Sequence, residues 1–599
     1  MRSADRSPTS RLGALAALGA LGLVLVSCDG GSPTATGPSF QNNPCSTGTV
    51  DLAAGQVAGI DCSNGGTTVT FTGNGAGYLV VAQLATELGG NSLIPYTLSS
   101  GTAIAASLVS GPEAGIQPSA GVGVGGGTDV GLIRPTPGAR QAEFESAVLA
   151  RGRRLVESGA FTRMLASAGL ARAQAVTPPP TVGSIRDFHV LSTFSSTHPT
   201  WKRVDARLEY VGASLLLYVD TLTPPNGFTP TQLQTFGQYF DQTLVPIDSN
   251  GFGSPSDVDG NGRVIMLMSP VVNADSPASQ CATQGYVSGF FDPEDFAGPA
   301  DTVSNHGEIF YSIVPDSAGT VSCSHPASEV EFAVPATFLH ELQHLINFSQ
   351  HVILGGGDLG ASWMDEGLSI VAEELGSRYY EQKCPPPSCR TNPSQLFPDS
   401  SQPFVQTFLY DSYEYGLHPD SASVTLHSDD ENGFAWRGGD WLLMRWLGDQ
   451  YGDGLFRTLV RGSSDGVLDI ETATGQDFSA LFTHFGLALY TDSLPGLPRN
   501  TAPAQDRFVT RNLRQLWARL YSTTGGTVSS IPRPMPIVLR SISADTSQVA
   551  MDPGSVSFFR LDTPSNAATV TVRFARTGGV PFASSLGPQL AVFRLPSGQ

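Results

Sequence analysis

The sequence predicts an α+β fold in which a mixed central region is flanked by small all-β domains. Three observations carry that expectation. Strand-like runs crowd both ends, among them Thr67-Thr68-Val69-Thr70-Phe71 and Tyr78-Leu79-Val80-Val81 early and Val556-Ser557-Phe558-Phe559-Arg560-Leu561 late. The middle opens on apolar strand patterns, Ser214 to Val219 and Val264 to Met268, and then turns to helical spacing. With 599 residues, 40% of them hydrophobic, there is material for several cores.

At the amino end Arg2, Arg6 and Arg11 precede an apolar run from Leu12 to Val26 that closes on Leu25-Val26-Ser27-Cys28, the form of a bacterial lipobox. Residues 1–28 therefore read as a lipoprotein signal peptide, too short and too early for a spanning helix, with Cys28 as the lipidated residue. Residues 29–44 read as a flexible tether, and 45–133, rich in Gly, Thr, Val and Ser, as a small all-β domain. Residues 134–184 form a helical linker or a propeptide-like segment: Gln141 to Ala173 alternates charged and apolar positions at helical period before the Pro-rich break at Ala175 to Pro180. Residues 185–522 make up the catalytic region, and 523–599 a carboxy-terminal β-sandwich-like domain.

The chemistry concentrates at His340-Glu341-Leu342-Gln343-His344. On a helix, positions i and i+4 share a face, so both imidazoles can reach one metal ion, and Glu341 beside them can take a proton from water that the metal activates. Pro335 suits the first turn of that helix, which runs on through Ala336 to Asn347. A catalytic zinc needs a third protein ligand. The metzincin pattern fails to supply one, because Asn347 stands at its Gly and Gln350 at its third His, with His351 one residue late. Glu366, in Trp363-Met364-Asp365-Glu366-Gly367-Leu368 after the loop Gly355-Gly356-Gly357, offers a carboxylate in the first turn of a helix from Asp365 to Tyr380. His306, His325 and His351 are expected to be structural.

HELQHLINF followed by WMDEGLSIVAEEL resembles the gluzincin metallopeptidases, of thermolysin-like fold, and within them the hyicolysin-type secreted peptidases more than the aminopeptidase N family. The likeness covers roughly residues 185 to 495. It implies an exported zinc endopeptidase acting on proteins or peptides, with His340, His344 and Glu366 as zinc ligands and Glu341 as general base. Glu373, two turns beyond Glu366, is a candidate to orient a ligand from behind. Asn305 to Tyr311 resembles the edge strand that holds extended substrate in such enzymes. Two departures stand out. Where aminopeptidases carry a Tyr that stabilises the oxyanion, this chain has Phe434-Ala435-Trp436-Arg437-Gly438, so the donor is unknown, with Tyr379, Tyr380, Tyr410, Tyr413, Tyr415 and His427 as candidates. No segment resembles the aminopeptidase element that holds a free amino terminus, which favours an endopeptidase. A non-catalytic surface lipoprotein on a degenerate scaffold, or an aminopeptidase, is the alternative.

Asp257-Val258-Asp259-Gly260-Asn261-Gly262 resembles the start of a calcium loop, with Asp257, Asp259 and Asn261 as ligands, although Met268 stands where the closing bidentate Glu belongs and a plain turn is the simpler reading. Setting Cys28 aside, six of the seven cysteines fall into neighbouring pairs, Cys45 and Cys62, Cys281 and Cys323, Cys384 and Cys389. Disulfides between neighbours are the simplest pairing of fifteen, and they suit an exported protein in the cell envelope, facing the periplasm or the outside. A net charge of −20 argues against nucleic acid or anionic membrane surfaces as partners, leaving membrane contact to the lipid anchor.

Overall fold

Strands from both ends of the chain build one β-sandwich. The computed structural model describes residues 37–596 except 46–47, 89–91, 102–137, 160, 162–178, 194–197, 298–300, 356–358, 392–394, 427–432, 463–465, 498–502, 526 and 543–547. The signal segment, Cys28 and most of the tether lie outside the described residues.

The early strands are β1 (Val57–Asp61), β2 (Thr68–Thr72), β3 (Gly77–Leu84) and β4 (Ile94–Ser100). The late ones, numbered after the six strands of the central sheet, are β11 (Gln548–Met551), β12 (Val556–Asp562), β13 (Thr569–Arg576) and β14 (Pro588–Arg594). One sheet runs β1-β14-β3-β12 with two-residue strands at its margins, and the other runs β11-β4-β13-β2 with a two-residue strand at its end. Each late strand thus inserts beside early ones: Val592 pairs with Val80, and Val570 with Phe71. The two β domains expected at 45–133 and 523–599 are corrected to one module, because each half alone would leave open sheet edges that the other half closes.

The period of two decides what β3 touches. Tyr78, Val80, Ala82 and Leu84 point into the sandwich core, while Leu79 and Val81 join the core of the central region. Helix α6 (Phe478–Thr491) covers that second face, where Gln83 Nε2 donates to the Phe482 carbonyl at 3.1 Å.

The central sheet contains β5 (Ile185–Thr193), β6 (Thr200–Val211), β7 (Leu215–Asp220), β8 (Val264–Met268), β9 (Gly289–Phe291) and β10 (Ile309–Ser312), in the order β9-β10-β8-β7-β6-β5. β8 pairs in parallel with both neighbours and is buried throughout, which is why it reads as the unbroken apolar run Val-Ile-Met-Leu-Met. β9 pairs antiparallel with β10 and forms the edge. Mixed helix and sheet fit the α+β expectation.

Five further helices build the rest of the site: α1 (Ala139–Glu157), α2 (Ala327–Phe348), α3 (Ser362–Lys383), α4 (Gln406–Leu417) and α5 (Phe434–Tyr451). α2 starts two turns earlier than expected. Pro326 caps it with extended backbone, and Pro335 lies in its interior. An interior proline costs about 3 kcal/mol, and the burial of almost the whole second half of α2 offsets it. α3 also starts early, at Ser362, so Glu366 stands in its second turn instead of its first. A buried ion network binds α3 to α5: Glu374 lies 2.6 Å from Arg511 and 3.5 Å from Arg445, and Arg445 also meets Asp449 at 3.2 Å and Asp453 at 2.9 Å. Disulfides join Cys45 to Cys62, Cys281 to Cys323 and Cys384 to Cys389. Such bonds persist in oxidising compartments, which agrees with an exported protein.

Candidate metal centre

The i, i+4 spacing on α2 turns both imidazoles to one point, with His340 Nε2 and His344 Nε2 3.2 Å apart. α3 brings Glu366 to the same place, its Oε2 3.7 Å from His340 Nε2 and its Oε1 3.7 Å from His344 Nε2. Gly367 allows this approach, because a Cβ there would stand 2.8 Å from Met444 and 2.9 Å from the Asp440 carbonyl of α5. All three side chains are buried, and neither Glu366 oxygen has a hydrogen-bond partner. A buried carboxylate that makes no hydrogen bond, brought with two ring nitrogens to one point, fits a divalent cation, and the two-imidazole, one-carboxylate donor set suits zinc.

Behind each imidazole stands a carboxylate. Glu373 Oε1 is 2.9 Å from His340 Nδ1, and its Oε2 accepts from Thr407 Oγ1 at 2.6 Å. Glu373 is therefore buried, not solvated. Asp365 Oδ2 is 2.9 Å from His344 Nδ1, a partner that sequence reasoning missed although it adjoins Glu366. Burial works against a charged His344, but Asp365, Glu366 and Glu341 outweigh it and hold the imidazole up at about 10. A cation entering the site must displace that proton.

Glu341 lies beside His340, their ligand atoms within 4.8 Å of each other. Its Oε2 accepts from the Phe291 N–H of β9 at 3.1 Å, and one of its carboxylate oxygens lies within 4.8 Å of the Glu145 carboxylate. Burial first, and the Glu145 charge second, push Glu341 well above the usual carboxylate range. Glu145 belongs to α1, in the segment expected to be a linker or propeptide. Its Oε2 lies 2.7 Å from Arg437 Nη1 and 3.9 Å from His340 Nε2. Burial raises its pKa, but Arg437, His340 and His344 overcome that and bring it down to about 2. Arg437 also faces Glu366 at 3.4 Å and Asp411 at 3.6 Å.

Several expectations are corrected here. Asn305 to Tyr311 does not provide the edge strand. β10 is flanked by β8 and β9, and the outer strand on this side of the sheet is β9, a three-residue strand too short to show a pattern. Asn305 instead bonds Asp295, Tyr311 and the backbone of β5. Four of the candidate tyrosine donors are engaged elsewhere, Tyr379 with Lys383, Tyr380 with Tyr239, Tyr410 with Glu414 and Tyr413 with the Arg533 carbonyl, whereas the Tyr415 hydroxyl is buried without a hydrogen-bond partner. His427 lies outside the described residues. His306, His325 and His351 belong to none of the metal-like groups found among the described residues.

In the calcium-like loop Asn261 turns inward, its Nδ2 donating to Asp259 at 2.6 Å and its Oδ1 accepting from the Arg263 N–H. Glu308 takes its place beside Asp257 and Asp259, with ligand atoms mutually within 4.8 Å. The Glu308 Oε2 is buried without a hydrogen bond, and burial pushes its pKa up to about 7. Glu308 stands forty residues beyond Met268, so no local pattern could reveal it.

No family model matches the chain. Among curated proteins it is similar to the neutral metalloprotease ShpI of Staphylococcus hyicus, 29% identical over 175 residues, which is 29% of this chain and 36% of the relative. The chain therefore spans about a third of the length of that relative, and the similarity supports a metallopeptidase, a hydrolase that holds a metal ion.

Proposed function

We propose that the chain is an exported zinc-dependent endopeptidase, with His340, His344 and Glu366 holding the metal and Glu341 as general base. The observation that carries the reading is the convergence at one point of two imidazole nitrogens and a buried carboxylate that makes no hydrogen bond, with a second carboxylate beside them. Zinc bound there supplies Lewis acidity, polarising the scissile carbonyl and making water a stronger acid. The chain's own residues do the rest. Glu341 takes a proton as the water oxygen bonds to the carbonyl carbon, and passes it to the amine nitrogen as the C–N bond breaks. Glu373 and Asp365 keep the imidazoles turned toward the metal. β9 is an outer strand beside Glu341, suited to an extended peptide lying across the cleft once the Gln141 amide of α1 leaves its backbone. Cys28 anchors the protein by lipid, and Asp257, Asp259 and Glu308 hold calcium. A calcium-dependent rise in Tm that Glu308→Gln abolishes is the expected sign of that ion.

The central test is metal content together with cleavage of casein and of end-blocked peptides, as purified or after a brief tryptic nick. One zinc per chain, cleavage lost in Glu341→Gln with zinc retained, and zinc lost in Glu366→Ala are the expected results. A general base contributes about 10²–10⁴-fold. Undiminished cleavage in Glu341→Gln, or full zinc in Glu366→Ala, would overturn the assignment. Activity confined to substrates with a free amino terminus would make the enzyme an aminopeptidase.

A further inference from the structure

Helix α1 lies in the cleft where a peptide would lie. The Gln141 side-chain amide takes up the outer edge at the start of β9, its Oε1 accepting from the Ser288 N–H at 2.8 Å and its Nε2 donating to the Gly289 carbonyl at 2.7 Å, so a backbone donor and a backbone acceptor that an added peptide strand could use are both filled. Four residues on, and so on the same face of the helix, Glu145 reaches the reaction centre. Gln141 Nε2 steadies it with a bond of 2.8 Å to Oε1. The helix is fastened along its length. Phe144 packs on Phe290 with ring centres 4.8 Å apart, and Arg151 bonds Asp292 at 2.6 Å and Glu294 at 2.8 Å. Gly152 lets the backbone come close, since a Cβ there would stand 2.8 Å from the Pro293 ring.

The Glu145 carboxylate sits among the groups that must handle the reacting carbon: within 4.8 Å of the general base Glu341, 3.9 Å from His340 Nε2, and hydrogen-bonded to Arg437 at 2.7 Å. Two oxygens on one carbon, carrying negative charge, are also what the tetrahedral adduct of water and a peptide bond presents. Arg437 is buried, permanently charged, and carries a fork of donors of which one, Nη1, points at a carboxylate oxygen in that position. It stands in the stretch where the expected tyrosine is missing.

Resting on the zinc-peptidase reading, we propose that Arg437 binds the oxyanion formed when water adds to the scissile carbonyl, and that Glu145 occupies the same position while α1 is docked. α1 is then an autoinhibitory helix, and peptide and α1 exclude one another.

The test uses the full zinc-loaded chain and a short peptide phosphonate, an oxyanion mimic, alongside the matching uncleaved carboxamide as ground-state mimic. Binding of each is measured by calorimetry, with zinc content and thermal unfolding as controls. Glu145→Ala is expected to bind the phosphonate at least tenfold more tightly than the parent and to cleave casein faster. Adding Arg437→Lys to that variant is expected to weaken phosphonate binding by about 10²-fold, the size of a lost oxyanion donor, with carboxamide binding little changed. A purely structural Arg437, serving to neutralise Glu145, Glu366 and Asp411, would instead move both ligands together or neither. Equal losses, or a Glu145→Ala chain that binds phosphonate no better than the parent, overturn the proposal. Should Arg437→Lys fail to take up zinc, the Glu145 comparison alone decides. A parent chain without zinc overturns the peptidase reading itself, whereas a zinc-loaded parent with unmoved phosphonate affinity overturns only this inference.

Discussion

Removing the Glu373 carboxylate asks how far the metal depends on a residue that does not touch it. In Glu373→Ala, His340 Nδ1 loses its acceptor at 2.9 Å and the Thr407 hydroxyl loses its own at 2.6 Å. His340 and Glu373 are both buried, so bulk water has no ready access to the gap. Loss of the group that orients a ligating imidazole lowers metal affinity about 10–100-fold, or about 1.4–2.7 kcal/mol. The stranded His340 donor costs a further ~1–3 kcal/mol in fold stability, whereas the half-buried Thr407 hydroxyl can turn to water. Zinc affinity is read by competition with a chromogenic chelator at neutral pH, and stability by urea unfolding of the metal-free chain. Glu373→Gln keeps an oxygen acceptor and should recover most of the zinc affinity. An alanine variant that loses stability yet binds zinc as tightly as the parent would refute the reasoning and leave Glu373 as packing alone.

Other perturbations reach different parts of the molecule. Glu374→Ala takes one carboxylate from Arg511, which keeps Glu381, and one from Arg445, which keeps Asp449 and Asp453, and should destabilise the protein by about 1.5–3 kcal/mol in urea unfolding, the worth of a hydrogen bond to a charged group. Burial lifts the Asp275 carboxyl to about 8 against the pull of Arg140 and Lys202. Because this lies above the unfolded value of about 3.9, the contribution to stability is whole below the unfolded pKa and is lost as pH rises through about 8. Asp275→Asn should therefore flatten the decline in Tm over that window. Gly152→Ala sets a methyl against the rigid Pro293 ring, an overpacking of ~1–3 kcal/mol that exceeds the ~1 kcal/mol gained in helix propensity. Faster hydrogen exchange across Ala139–Glu157 is the expected readout.

The parts of the site legible in the sequence are those whose geometry is local. His340 and His344 lie one helical turn apart, and Glu366 and Glu373 ride on a single later helix, so spacing alone was enough to bring them into one argument. Glu145 and Arg437 were not legible as a pair. They come from helices almost three hundred residues apart and meet only because α1 docks along a strand of three residues. Glu308 escaped for the same reason. Strand character at both ends of the chain showed in alternation, but alternation says which face is buried and not which strand lies alongside, so two β segments looked like two domains. Pro335 misled because its local preference for a first turn was overridden by the burial of α2 against its neighbours.

The sandwich has a consequence for how the protein is made and cut. β14 lies between β1 and β3, so the sheet begun by the early strands cannot close until Pro588–Arg594 has been synthesised. Early strands must wait for partners some five hundred positions away, and non-local pairing of that kind is slow. The same arrangement makes a break in the backbone between Ser100 and Ile185 tolerable. The amino-terminal piece would stay clasped by β12, β13 and β14 through its own ladder bonds, and a nicked chain should migrate as one particle until it is denatured.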